Sequence, residues 1–260
     1  MRDWEELAAP WLKHEARMEA AHGPVLEALL AQAGLQQGQA VLDIGMGSGR
    51  STALIAQTVG PDVTAIDIAP PFVARTAERG PAEVTLLAED AQTYPFAQAR
   101  FDAAISMLGT MFFADTGAAF SNIARALKPG AVFSFSAWAP PPTNPWLSTA
   151  ARITAEVMGP PETPPDPSDA GPFRFSDPAV PMAALDKALW QAEFETRNFT
   201  LTPTGTPAEI AATQLELGVA ARRITEEAAS PEKRAGIPPP LNAPGESKQS
   251  TQSAGRVAAG

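Results

Sequence analysis

The chain has 260 residues, 45% of them hydrophobic, enough for one sizeable core with additions, and its formal charge of -10 argues against a polyanionic partner such as nucleic acid. With no cysteine, and only His14 and His22 as imidazoles, it has no disulfide framework, no thiolate nucleophile and no set of ligands for a cysteine or histidine metal centre. No apolar run reaches the roughly 18 residues of a membrane span and the N-terminus is acidic rather than basic and then apolar, so a soluble, cytoplasmic protein without a membrane partner is expected.

Residues 1–34 read as a helical flap. Trp4, Leu7, Trp11 and Met18 recur near helical spacing, and Pro10 is expected to kink or divide the segment. Pro24 is expected to open a second helix carrying Leu26, Leu29 and Leu30 until Gly34 stops it. Packed on a sheet, such a flap can also close over a substrate, with His14 or His22 as a general base.

The stretch that follows organises the chain. Ala40 to Ile44 has the length and β-branched content of a buried strand, and it runs into Gly45, Gly47 and Gly49 before a helical pattern begins at Ser51. Glycine serves such a turn because the backbone enters φ/ψ values that a Cβ forbids and a ligand must approach the main chain closely. Exposed N–H groups at the following helix start can hold a polar or anionic group. A dinucleotide fingerprint G-x-G-x-x-G would need glycine at position 50, which is Arg50.

Alternating units continue from there. The helix Ser51 to Val59 ends at Gly60-Pro61, and the strand Val63 to Ile66 delivers Asp67 and Ile68. Asp67 lies 18 residues past Gly49, close to the offset of about 20 at which an acid reaches the ribose hydroxyls of an adenosine cofactor. Pro70-Pro71 opens the next helix, to Arg79. The strand Val84 to Leu87 ends at Glu89-Asp90-Ala91, and Phe101 to Ser106 runs into Met107-Leu108, where strand ends border the ligand crevice of an open α/β sheet. Phe112 and Phe113 read as core. A helix from Thr116 to Leu127, a turn at Lys128-Pro129-Gly130 and a fifth strand, Val132 to Trp138, complete a doubly wound, parallel α/β pattern.

Of the 27 prolines, 12 lie between Pro140 and Pro181, which interrupts the alternation. This part holds a helix from Trp146 to Met158 and the segment Gly171-Pro172-Phe173-Arg174-Phe175, with tryptophan and phenylalanine content unlike a disordered spacer. A helix Ala179–Gln191, a strand Glu193–Thr200 and one long helix over 207–229 follow, before a polar, small-residue end in which Arg256-Val257-Ala258 is a feeble strand candidate. The expected division is a flap at 1–34, a core at 35–138, a cover at 139–181, the rest of the core with the long helix at 182–234, and a flexible tail at 235–260.

Val41-Leu42-Asp43-Ile44-Gly45-Met46-Gly47-Ser48-Gly49 resembles the first motif of the class I S-adenosylmethionine-dependent methyltransferases, with Met46 where many members carry Cys or Ala. Asp90-Ala91-Gln92-Thr93-Tyr94-Pro95-Phe96 resembles the small-molecule branch that includes ubiquinone and menaquinone biosynthesis methyltransferases. Asn144-Pro145-Trp146 and Gly171-Pro172-Phe173 look like segments of a bacterial subgroup, carrying the resemblance to about residue 200. It implies a Rossmann-like, seven-stranded sheet with a final antiparallel strand, and S-adenosyl-L-methionine as cofactor. The implied cofactor contacts are Gly45, Gly47 and Gly49 by close backbone approach, Asp67 at the ribose, Asp90 and Ala91 at the adenine, and Ile68 beside Asp67. Ser106 would lie beside the methionine part, and Asp43 would orient the loop or the methionine amino group through water. Trp11, Leu108, Trp138, Trp146 and Phe173 are the expected walls of the acceptor pocket.

Methyl transfer from a sulfonium needs mainly positioning and desolvation, so a base such as His14 is optional. The expected function is methylation, on oxygen or carbon, of a small hydrophobic natural-product or quinone-like molecule. A catalytically silent cofactor-binding subunit and a small-amine N-methyltransferase are the alternatives. A nicotinamide oxidoreductase is disfavoured by Arg50 and by the lack of a Tyr-x-x-x-Lys set.

Overall fold

The computed structural model describes residues 4–80, 83–161, 166, 168–187, 190–226 and 247–259. Two helices come first, α1 (Trp4–Lys13) and α2 (Glu15–Ala33), and they part at His14 rather than at either proline. Pro10 lies inside α1 and Pro24 inside α2, so Pro24 does not open a helix as expected. An interior proline costs about 3 kcal/mol. Across that point α2 buries Ala21, His22, Val25, Leu26 and Leu29, and at about 1.5–3 kcal/mol per large aliphatic side chain this outweighs the break. Gly34, left-handed at φ 63°, then ends α2, its N–H donating to the Leu30 carbonyl.

Four parallel strands, β1 (Val41–Ile44), β2 (Val63–Asp67), β3 (Thr85–Ala88) and β4 (Phe101–Met107), pair with β5 (Leu127–Trp138) in the order β3-β2-β1-β4-β5. The parallel-paired part therefore numbers five strands of the sheet. Helices α3 (Arg50–Val59) and α4 (Pro70–Arg79) carry the chain outward from β1 to β3, and β4 then returns to the other side of β1 in register Val41↔Ala103. The crevice of an open sheet forms where the strand order reverses in this way. Side chains alternate across the sheet: Val41, Ala103 and Ile105 join Leu29 of α2 and Ile55 and Val59 of α3 in one core, while Leu42, Ile66 and Ala104 join Phe120 and Ile123 of α5 (Thr116–Ala126) in the other.

β5 is longer than expected. Leu127 already pairs with Phe101, and Lys128-Pro129-Gly130 is an irregularity inside the strand, with Gly130 at φ 77°. Next come α6 (Pro145–Met158), α7 (Ala179–Lys187) and β6 (Trp190–Leu201). The expected single helix over 207–229 is two, α8 (Pro207–Glu216) and α9 (Gly218–Glu226), because Leu217 is extended and Gly218 turns the chain at φ 82°; residues 227–229 lie outside the described residues. A capping box, Thr206 with Glu209, starts α8. Part of the expected tail is a strand, β7 (Ser247–Ala259), antiparallel to both β5 and β6. Two neighbouring strands supply its backbone hydrogen bonds, and that pairing overrides a composition that does not favour β-structure on its own.

Gly49 shows how tightly the first turn is seated. At φ 86° a side chain is already strained, and a Cβ there would fall 2.7 Å from Thr76 Oγ1 and 2.8 Å from its Cγ2. Gly49→Ala is expected to lower stability by about 2 kcal/mol, read as a shift of the urea midpoint with unchanged slope.

Candidate active site

A cavity of about 680 Å³ lies across the C-terminal ends of the parallel strands, with residues from the ends of β1, β2, β4 and β5 and from just past β3 in its wall. Five strand ends span about 19 Å at the usual spacing of neighbouring strands. The helices over it present single faces: Trp4, Leu7 and Trp11 from α1, then Glu15, Met18, Glu19, His22 and Leu26 from α2, both at helical spacing.

At the middle, the glycine turn is fixed by its neighbours. Gly47, at φ 54°, donates its N–H to Asp67 Oδ2 (3.0 Å), and its carbonyl accepts from Thr76 Oγ1 (3.0 Å). Asp67 Oδ1 accepts from the Ala69 N–H (3.0 Å), so the carboxylate is oriented with lone pairs to spare. Burial raises its pKa, opposed by the backbone N–H groups of Ala69, Gly47 and Ile68. Gly45 and Gly47 line the cavity, whereas Gly49 faces Thr76 and not the cavity.

Asp43 and Ser106 do not line the cavity either. Asp43 is fully buried below the turn, with Oδ2 accepting from Ser51 Oγ (2.8 Å) and Thr52 Oγ1 (2.7 Å) at the start of α3, while Oδ1 has no partner among the described residues. Burial pushes its carboxyl up to about 6 against those two hydroxyl bonds. Ser106 is buried too, its hydroxyl donating to the Ile44 carbonyl (2.8 Å) and so tying β4 to the end of β1. Both residues shape the turn from beneath.

Toward β3, Ile68, Glu89, Asp90 and Ala91 line the wall. Asp90 Oδ1 accepts from the Gln92 N–H (2.8 Å), closing a turn, and the Ala91 carbonyl accepts from Asn122 Nδ2 (2.9 Å). Ile68 is 43% exposed, a large aliphatic side chain left open on the cavity beside the oriented Asp67. An apolar contact flanked by two acids suits a flat heterocycle attached to a diol.

Toward β5 the wall turns aromatic. Trp11, Leu108, Trp138 and Trp146 line it, and Phe112 and Phe113, read from sequence as core, line it too. Leu108 sits at φ 57°, a left-handed conformation at the mouth of β4 of the kind that clusters at functional sites. Phe173 does not line the cavity; it packs on the core, while its neighbour Pro172 reaches the wall. The segment around it is a strap: the Gly171 N–H donates to the Met111 carbonyl (3.2 Å) and Arg174 Nη1 to the Phe113 carbonyl, with Phe175 buried against Phe120 and Phe135.

The two histidines separate. His14 lies outside the cavity lining, its Nε2–H donating to Glu216 Oε2 (2.9 Å) and its Nδ1 accepting from Arg17 Nη1 (3.3 Å). It fastens the α1–α2 junction to α8. His22 faces the cavity, its Nδ1 donating to the Met18 carbonyl (2.8 Å), and its ring stands edge-on to Trp138 and Trp146. Sequence reasoning also missed Gln214, Leu217 and Gly218 at the α8–α9 corner, which close the cavity from above. No periodicity in the sequence marks that corner; only Gly218 hints at a break.

An ion-pair cluster locks this roof to the floor. Arg79 binds both oxygens of Glu19 (2.5 and 2.9 Å) and donates to the Ser48 carbonyl (3.2 Å), and Ser48 Oγ donates to Glu19 Oε1 (2.7 Å). Arg75 similarly holds Glu15 (2.6 Å). Of the described residues lining the cavity, Glu15, Glu19 and Glu216 are paired with basic side chains outside the lining, whereas Asp67, Glu89 and Asp90 make the β2–β3 end acidic.

A parallel sheet of this order, with a glycine turn at its reversal point and acids at the next two strand ends, is similar to that of the class I S-adenosylmethionine-dependent methyltransferases. Residues 42–135 match the family of methyltransferase domains. An uncharacterised protein of Mycobacterium tuberculosis is 34% identical over 123 residues, 46% of this chain and 44% of its own. Malonyl-[acyl-carrier protein] O-methyltransferase of Pseudescherichia vulneris is 33% identical over 131 residues, 49% of this chain and 51% of its own. The chain thus spans about half the length of the curated relatives it matches. Among solved structures, the YcgJ protein of Bacillus subtilis shares the fold at a TM-score of 0.60 and 18% identity, over 91% of this chain and 97% of that one. No helix among the described residues is long and apolar enough to cross a membrane.

Asp43 gives the site a pH signature. Its folded pKa, raised to about 6, means that the folded state holds the proton more tightly than the unfolded chain. Its contribution is therefore full below about pH 4 and is lost as pH rises toward 6. Asp43→Asn, which cannot ionise, is expected to gain about 1–3 kcal/mol relative to wild type between pH 4 and pH 7, measured by urea unfolding at each pH.

Proposed function

We propose that this chain transfers the methyl group of S-adenosylmethionine to a small hydrophobic acceptor, on oxygen or carbon. The observation that carries the reading is the cavity built across five strand ends, polar and acid-lined toward β3 and aromatic toward β5. An acid-lined floor favours a ligand that brings a diol and a positive charge and disfavours the pyrophosphate of a dinucleotide. Asp67 would take the ribose hydroxyls, Ile68, Asp90 and Ala91 the adenine, and the Gly45–Ser48 turn the methionine part, with Asp43 acting only through the turn. Bound there, the cofactor supplies an already activated methyl group.

The chain's own work is to place the acceptor and keep it dry. Trp11, Trp138 and Trp146, with Leu108 and the Phe112–Phe113 pair, offer a wall for an aromatic or polycyclic molecule. In this reading α1 and α2, α6 within the proline-rich 139–181 segment, and the α8–α9 corner form the cover. Excluding water and holding the acceptor at near-attack distance can account for several of the ~7–11 kcal/mol available from proximity.

Calorimetric titration with S-adenosylhomocysteine, with NADH run in parallel, tests the reading. Micromolar affinity for the first and none for the second is expected, and the reverse would overturn it. Asp67→Ala should weaken S-adenosylhomocysteine by about 1.5–3 kcal/mol, as expected for charge-assisted hydrogen bonds lost from a partly buried site; unchanged affinity would remove Asp67 from the ribose.

A further inference from the structure

His22 is a buried imidazole placed where the aromatic end of the cavity meets α2. Its Nδ1 lies 2.8 Å from the Met18 carbonyl, and a carbonyl can only accept, so Nδ1 carries the proton and Nε2 carries the lone pair. None of the described residues makes a hydrogen bond to Nε2, and the ring lines the cavity with Trp138 and Trp146 standing edge-on at centroid distances of 5.5 and 6.2 Å. The two indoles fix the ring plane, and the α2 carbonyl fixes the tautomer. His14 is the reverse case: its Nε2–H is committed to Glu216 and its Nδ1 accepts from Arg17.

We infer that His22 Nε2 is the general base of the reaction and that the acceptor is a hydroxyarene or enol whose O–H points at it from between Trp138 and Trp146. The inference rests on the proposed methyl transfer and narrows its acceptor to O–H compounds. The acceptor's O–H bond breaks as its proton moves to Nε2. Its oxygen forms a bond to the methyl carbon while the carbon–sulfur bond of S-adenosylmethionine breaks, the electron pair staying on sulfur. The products are a methyl ether, S-adenosylhomocysteine and an imidazolium, which returns its proton to water when the products leave. Burial also lowers the pKa of His22, against the weaker opposing effect of the Met18 carbonyl, so the ring rests neutral and ready to accept. The carboxylates nearest it on its own helix face, Glu15 and Glu19, are held by Arg75 and Arg79 and do not compete for the proton.

With two histidines in the chain, 15N spectra resolve both rings. His22 should show the Nδ1–H tautomer and stay neutral well below the usual histidine titration. In protein saturated with S-adenosylhomocysteine, 1-naphthol should then shift the Nε2 resonance as it accepts a hydrogen bond. An Nε2–H tautomer, or an Nε2 signal indifferent to 1-naphthol, overturns the inference. In turnover, His22→Phe should cut methylation of 1-naphthol by at least about 100-fold, while 2,4-dinitro-1-naphthol, already ionised, should lose less than tenfold. Equal losses on the two acceptors, or no wild-type methylation of 1-naphthol by protein that binds S-adenosylhomocysteine, would also overturn it. Failure of wild type to bind S-adenosylhomocysteine at all would instead bring down the methyltransferase reading itself.

Discussion

One residue at the sheet's reversal point is held by both of its backbone polar groups, and the rest of the site depends on it. The Gly47 N–H is taken by Asp67 at the end of β2 and its carbonyl by Thr76 on α4. This joins the turn after β1, the acid after β2 and the helix that follows it into one unit. From α4 the connection runs on through Arg79 to Glu19 on α2, and the same guanidinium reaches back to the Ser48 carbonyl in the turn. Since α2 also carries His22, the floor and the roof of the cavity are positioned by one continuous set of hydrogen bonds.

That set is expensive in electrostatic terms. Asp43 is buried and Asp67 partly so; desolvation raises the pKa of each, and the like charge of Asp67 raises that of Asp43 further. Carboxylates are kept in such places only where hydrogen bonds orient them or a cation will face them. Ser51 and Thr52 satisfy one oxygen of Asp43, and the backbone satisfies Asp67, but neither is offered a positive side chain. Glu15 and Glu19 are matched by Arg75 and Arg79 of α4. The net effect is a cavity whose walls keep a negative potential while the scaffold around it stays neutralised, a suitable setting for a ligand that brings its own positive charge.

How much of this was legible in the sequence follows from distance along the chain. The glycine turn, Asp67 and Asp90 were legible because strand, turn and acid follow one another within each unit, and local backbone chemistry dictates them. Residues one position away were harder. Asp43 and Ser106 belong to the same strand ends, yet their side chains go to the packed faces of the sheet, and only the register shows this. Gly49 looks like its neighbours in the motif, but Thr76, 27 positions later, is what excludes its side chain. The two histidines could not be told apart, since which side of a two-helix flap faces inward is decided by the salt bridges to α4 and the bonds to α8. β7 was nearly invisible, because its stability comes from β5 and β6 rather than from its own residues.

The aromatic end sets chemical limits as well as shape. Burial that keeps His22 neutral also weakens it as a base, so the proton it can take must come from a group of modest pKa. A phenol or enol, with a pKa near the ~10 of tyrosine and falling as the oxygen begins to bond to carbon, is within reach. An alkyl alcohol, far less acidic, is not, and an ammonium would have to shed its proton before it entered an apolar pocket. In the proposed reaction, two indoles packed around one imidazole would therefore select acceptors twice, first by the flat surface offered to a ring, and then by the acidity that a desolvated, neutral histidine would demand of the hydroxyl on that ring.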